Sequence, residues 1–173
     1  MRLFHVSEES DILEFSPRIP ERNDLDKSTG LVWAVSEKCL SNFLTPRNCP
    51  RVTYHIGENT TQQDKIKFFS SSTQTHAVII EAKWLEVIRN TTLYVYEFDP
   101  SNFELQDDVA GYYVSKAVEK PINQFVLNDL MMELIERNIE IRIVDNLWTI
   151  AEQVKVSTLN WSLCRMAFAQ PKL

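Results

Sequence analysis

Thr92-Leu93-Tyr94-Val95-Tyr96-Glu97-Phe98 sets Leu93, Val95 and Glu97 against Tyr94, Tyr96 and Phe98. Strand side chains alternate between two faces, and β-branched and aromatic residues suit a pleated surface, so this run is read as a strand. Apolar groups on both sides require cover on both faces, which places it centrally in a sheet.

Outward from that strand, residues 2–6 and Leu31 to Val35 read as strands, as do the alternating Arg51 to Ile56, with Gly57 as its stop, and the near-continuous apolar run Ala77 to Glu81. Downstream, Gly111 to Ser115 and Ile122 to Leu127 on either side of Pro121 are two further strands, followed by Ile139 to Val144 with Ile139, Ile141 and Ile143 inward. Helical signals are short. Ser10 to Phe15 reads as one helical turn before Pro17, Ser36 as the cap of a helix to Phe43, and Trp84, Leu85 and Ile88 as one helix face. Asn128 is expected to cap a helix that buries Leu130, Met131, Leu134 and Ile135. From Leu147 to Phe168 helical and alternating spacings compete. Helix is the preferred reading, with Trp161 packed inward and Arg165 one turn away. Ser16 to Thr29, with Pro17 and Pro20, has the chemistry of a flexible flap. The expectation is an α+β fold, a single domain over 1–173 with one mixed, largely antiparallel, twisted sheet and short flanking helices.

Bulk composition excludes several classes. At 173 residues, 44% hydrophobic and 24% charged, the chain can bury a core without metal or disulfide staples. A net charge of -6 opposes binding to nucleic acid by counterion release. Cys39, Cys49 and Cys164 are odd in number and lack C-x-x-C spacing, so neither a disulfide framework nor a zinc knuckle is expected. No apolar run reaches the ~18 residues of a membrane span, and the N-terminus has no apolar signal core. A cytoplasmic protein with no membrane partner is expected. Three glycines leave no Gly-rich phosphate loop, and His5, His55 and His76 lie on separate segments without metal-ligand spacing, so no metal is expected.

The candidate site begins at Met1-Arg2-Leu3-Phe4-His5-Val6-Ser7. In a strand, His5 and Ser7 point to the same side, putting an imidazole and a hydroxyl where a core strand would be apolar. With Arg18 from the following loop they offer donors and acceptors suited to a ribose or a phosphate. Arg47 and Arg51 bracket Asn48-Cys49-Pro50, where Pro46 and Pro50 stiffen the turn and present two guanidiniums as an anion clamp. Between two arginines, Cys49 is a candidate for a lowered thiol pKa.

Leu3-Phe4-His5-Val6-Ser7 resembles the histidine-containing first strand of the ADP-ribosyltransferase superfamily, in which His-Gly-Ser or His-Gly-Thr holds the adenosine ribose of NAD. Gly30-Leu31-Val32-Trp33-Ala34-Val35-Ser36, running into Glu37 to Phe43, is similar to the second motif, an aromatic strand followed by a helix. Gly111-Tyr112-Tyr113-Val114-Ser115, with Pro121 beyond, is similar to the late strand that carries the catalytic glutamate. The chain also resembles, nearly end to end, a family of small bacterial proteins known only as a domain of unknown function. The first resemblance implies NAD, or a related small nucleotide, as ligand and substrate. It gives ribose contacts from His5 and Ser7, pyrophosphate contacts from Arg18, Arg47 or Arg51, and a ring pocket from Trp33 with Tyr112 or Tyr113. Its catalytic positions fall on His5, Tyr112 and Tyr113. Two departures accompany it: Val6 stands in place of glycine, and Tyr112 or Tyr113 in place of the glutamate. Removing that carboxylate removes a group that offsets developing positive charge. Glu97 or Glu104 are the replacements considered. A non-catalytic module of the same fold, binding a small ligand or a protein, is the alternative.

Overall fold

The computed structural model describes residues 1–19 and 27–172. In chain order its strands are β1 Leu3–Ser7, β2 Val32–Ser36, β3 Arg51–His55, β4 His76–Glu81, β5 Leu93–Phe98, β6 Glu104–Asp107, β7 Tyr112–Ser115, β8 Asn123–Leu127, β9 Glu140–Val144 and β10 Asn160–Cys164. The α-helices are α1 Gln62–Phe68, α2 Leu85–Arg89, α3 Leu130–Glu136 and α4 Trp148–Lys155. A 3-10 helix covers Glu37–Phe43. The fold is α+β, and its strands form two mostly antiparallel sheets rather than the one sheet expected.

The chain divides into two compact units. The first comprises Met1–Phe43 and Leu93–Leu127, the second Leu44–Thr92 and Asn128–Leu173. In the first, six strands run in the order β6-β7-β2-β1-β5-β8. As its alternating apolar residues require, β5 lies inside this sheet, paired from Leu3↔Phe98 to Ser7↔Tyr94 with β1 and along its other edge with β8. Leu3, Val32, Ala34, Phe98 and Phe103 form the apolar cluster of one face, and Phe15 and Tyr113 pack against it. On the other face Arg2 holds both carboxylate oxygens of Glu97, at 2.7 and 3.0 Å, and also reaches Glu37 at 2.8 Å.

In the second unit the order is β10-β3-β4-β9, with β4 and β9 parallel. One face of this sheet contributes Val52, Tyr54, Ala77 and Ile79 to a core completed by Phe68 of α1, Phe69, Leu147, Leu159, and Ala151 and Val154 of α4. Thr61 caps α1 by accepting from the Asp64 amide at 3.2 Å.

Local expectations were revised at several places. Ser10 to Phe15 forms no helical turn; Phe15 instead bridges to Glu119. The cap of α3 is Asp129, whose carboxylate accepts from Met132 N at 3.0 Å, whereas Asn128 accepts from the Thr92 hydroxyl at 3.1 Å. Leu130 and Leu134 are buried, but Ile135 and Ile143 face solvent. The tail is helical only through Lys155. Ser157 closes onto the Val154 carbonyl, Thr158 turns to Asp64, and the alternating residues that follow become β10. Trp161 is 37% exposed, so Leu159 supplies the buried anchor there. Of the expected flap over Ser16–Thr29, residues 20–26 lie outside the described residues.

Candidate functional site

His5 sits where a ladder ends. Beside β2, β1 makes the register pairs Leu3↔Ser36 and Phe4↔Val35, and then the imidazole takes over, its Nδ1 lying 3.0 Å from the Trp33 carbonyl. A carbonyl only accepts, so Nδ1 carries the proton and Nε2 presents a lone pair. Burial pushes the His5 pKa below its ordinary 6.5; the Trp33 carbonyl opposes that shift and the nearby charge of Arg18 assists it. The ring is therefore neutral at pH 7.

A strap covers this face. From Glu8 the chain runs past Tyr96, whose hydroxyl donates to the Glu9 carbonyl at 2.6 Å and accepts from Ile12 N at 3.2 Å. Gln124 adds a bond to the Ser10 carbonyl at 2.7 Å. The Phe15 ring then lies 4.8 Å from His5, 5.3 Å from Tyr96 and 5.0 Å from Phe98. Arg18 pairs through its main chain with Leu31 in both directions, at 3.0 and 2.9 Å. The strap approaches Gly30 closely: a Cβ there would meet the Pro17 carbonyl oxygen at 3.0 Å, so a side chain would have to push the strap back by a few tenths of an ångström.

Register decides which of the expected residues meet. His5 and Ser7 share a face, and Ser7 Oγ accepts from Glu9 N at 3.1 Å. Tyr113 pairs with Ala34 and packs on the apolar cluster of that same face. Trp33 and Tyr112 lie on the opposite face, their rings edge-to-face at 5.3 Å, with Phe43 at 5.6 Å from Tyr112. The structure thus separates Trp33 from His5 and sorts the two tyrosines to different sides. Arg18 is exposed next to the strap. Arg47 and Arg51 belong to the second unit. There the turn closes through Cys49 N to the Pro46 carbonyl at 3.0 Å, Arg47 is exposed, and buried Arg51 donates from Nη1 to the Cys49 carbonyl at 3.0 Å. Burial pushes the Cys49 thiol up to about 12, against the partial opposition of Arg51, so the expectation of a lowered thiol pKa is reversed.

The replacements considered for the glutamate have other settings: Glu97 is engaged by Arg2, which holds its pKa below the ordinary range, and Glu104 is exposed on the edge strand β6. Sequence reading missed Glu119. Its main chain exchanges bonds of 2.7 and 3.0 Å with Phe15, and its buried carboxylate accepts from the Ser115 hydroxyl. In the second unit the buried His55 and His76 rings face each other at 5.3 Å, with Asn160 Nδ2 3.3 Å from His55 Nε2. Among the described residues no group of three His, Cys, Asp or Glu is arranged to hold a metal, and no helix is long and apolar enough to cross a membrane.

The lowered His5 pKa carries a stability consequence. Below pH 6.5 the unfolded chain protonates this imidazole while the folded chain resists, so the unfolded state binds more protons and stability falls as pH falls. Urea denaturation between pH 7.5 and 5 should show a slope that His5→Gln reduces. An unchanged slope in the variant would mean that His5 ionises freely in the folded protein.

No curated protein and no solved structure matches this chain. A family model matches residues 4–169, and the chain belongs to the Family of unknown function (DUF6886).

Proposed function

We propose that the His5 face of the first unit binds NAD or a related ADP-ribose-containing nucleotide, in a fold of the ADP-ribosyltransferase kind. The observation that carries this reading is the neutral imidazole. Its Nδ1 is committed to Trp33, and its Nε2 lone pair has no protein hydrogen-bond partner among the described residues. A ribose hydroxyl is the donor such an acceptor suits, and Arg18, close enough to act on the His5 pKa, supplies charge for a phosphate. Tyr113 lies on this face and Tyr112 does not, so Tyr113 is the tyrosine assigned to the site. The proposal includes a reducing, cytoplasmic setting, supported by three free cysteines.

Calorimetric titration with NAD and ADP-ribose tests it. Binding to the wild-type protein should weaken by about tenfold or more in His5→Ala, the loss expected of a buried hydrogen bond. Undiminished affinity in that variant would move the site elsewhere, and absence of binding by the wild type would remove the reading.

Binding without turnover is the second reading, favoured by the engagement of Glu97 with Arg2. Release of nicotinamide from NAD at an enzymatic rate would select the transferase or NAD-cleaving reading instead.

A further inference from the structure

The two faces of the second unit's sheet differ in chemistry. Val52, Tyr54, Ala77 and Ile79 point into the apolar core on one side. Neighbours along a strand alternate and paired residues share a side, so the other face carries Arg51, Thr53 and His55 from β3 and, opposite them, Cys164, Ser162 and Asn160 from β10. His76 of β4 extends the His55 row, the two rings 5.3 Å apart. The four strands hold two acidic side chains, Glu81 and Glu140. Both lie on the core side, Glu140 opposite Ala77 and Glu81 two residues beyond Ile79. The polar face thus receives a guanidinium, two imidazoles, hydroxyls and an amide, and no carboxylate from these strands.

At its centre is Thr53, 1% exposed, with an Oγ1 that has no hydrogen-bond partner among the described residues. A buried hydroxyl without a partner is costly, and valine has the same shape and suits a strand equally well. Folding alone therefore gives no reason for the oxygen. Ser162 stands directly opposite Thr53, with Cα atoms about 5 Å apart in such a pair. Buried Arg51, fixed by its Nη1 bond to the Cys49 carbonyl at 3.0 Å, precedes Thr53 by two residues, and buried His55 follows it by two. Ser162 and Cys164 are only half-buried, so a ligand's approach is from the β10 edge.

We propose that this face binds a terminal phosphate group, with Thr53 and Ser162 donating their hydroxyl hydrogens and Arg51 supplying positive charge. The three free oxygens of such a group accept from several donors at once, whereas a hard metal ion would need the carboxylates this face lacks. Every residue of the site belongs to the second unit, and the proposal does not rest on the nucleotide reading.

The test is calorimetric titration of the full chain with inorganic phosphate and with glycerol 3-phosphate, against chloride at equal ionic strength. Thr53→Val and Ser162→Ala should each bind about tenfold more weakly, the scale of a hydrogen bond to a charged group. Without ligand, the urea midpoint of Thr53→Val should equal or exceed that of the wild type, because the hydroxyl serves the ligand rather than the fold. Alkylation locates the site: Cys39 and Cys49 are buried, so half-buried Cys164 is the thiol that reacts, and its Sγ lies 3.4 Å from Ser162 Oγ. Bound phosphate should slow that reaction several-fold, while NAD and ADP-ribose, which lack a terminal phosphate, should leave it unchanged. Tighter binding of the ester would support a phosphorylated small molecule as the ligand, and tighter binding of the free ion would support inorganic phosphate. No binding by the wild type, undiminished affinity in both variants, a lowered midpoint in Thr53→Val, or binding that leaves Cys164 unprotected would overturn the proposal. Protection of Cys164 by NAD or ADP-ribose would overturn the assignment to a terminal phosphate.

Discussion

A chain ending at Lys155 should lose the cooperative unfolding of its second unit. The missing residues include β10, which pairs with β3 from Asn160↔His55 to Cys164↔Arg51. They include Leu159, buried in the core with Val52 and Tyr54, and the segment that docks on Glu81. Gln170 N donates to both oxygens of that buried carboxylate at 2.9 and 3.1 Å, while the Gln170 carbonyl accepts from Trp148 Nε1 at 2.8 Å. Asn146 holds the Pro171 carbonyl at 2.9 Å and Lys83 the Phe168 carbonyl at 3.2 Å. Truncation would expose the β3 edge and strip the Gln170 amide from a buried charge. Each loss is a few kcal/mol, against a total stability on the order of 5–15 kcal/mol. Amide exchange at β3 and β4 and thermal circular dichroism check this. Retained protection with an unchanged transition would show that the tail is dispensable.

Gly111→Ala should destabilise the first unit by about 3 kcal/mol, the sum of left-handed strain and overpacking. Gly111 has φ of +68°, and an added Cβ would meet Ser36 Oγ at 2.5 Å and Cys39 Sγ at 2.8 Å. The Ser36 main chain is held by its N donating to the Gly111 carbonyl at 2.8 Å, and Cys39 is fully buried, so only the Ser36 hydroxyl can turn aside. The midpoint of urea denaturation measures the loss. A change under 1 kcal/mol would mean that the β6–β7 turn rearranges to take the methyl group.

Alternation of residue type made Tyr94 to Phe98 and Arg51 to His55 legible as strands, although both faces of each are largely buried in the fold. β6 escaped notice because Glu104, Leu105, Gln106 and Asp107 are all exposed, and a strand wet on both sides leaves no hydrophobic period. The tail carried two periods in succession, and preference for one hid the strand behind the helix. Division into two sheets was beyond local pattern, since period two says which residues share a face but not which strands pair.

The same limit governed the site. That His5 and Ser7 lie together followed from spacing alone. The removal of Trp33 to the other face followed from the Leu3↔Ser36 and Phe4↔Val35 register, which no short motif encodes. Phe15 and Glu119 meet across most of the first unit's sequence, so neither announced the other.

Both units are assembled from separated stretches of chain, with crossings after Phe43, Thr92 and Leu127. During synthesis β1 must therefore wait for β5 to emerge before it gains the partner along that edge, and β3 waits for β10 at the other end of the second unit. Such non-local closure slows folding and prolongs the exposure of unpaired edges. It also means that no single proteolytic cut releases either unit whole: isolating the first requires a new covalent join from Phe43 to Leu93, and a nick in either stretch leaves its fragments dependent on each other.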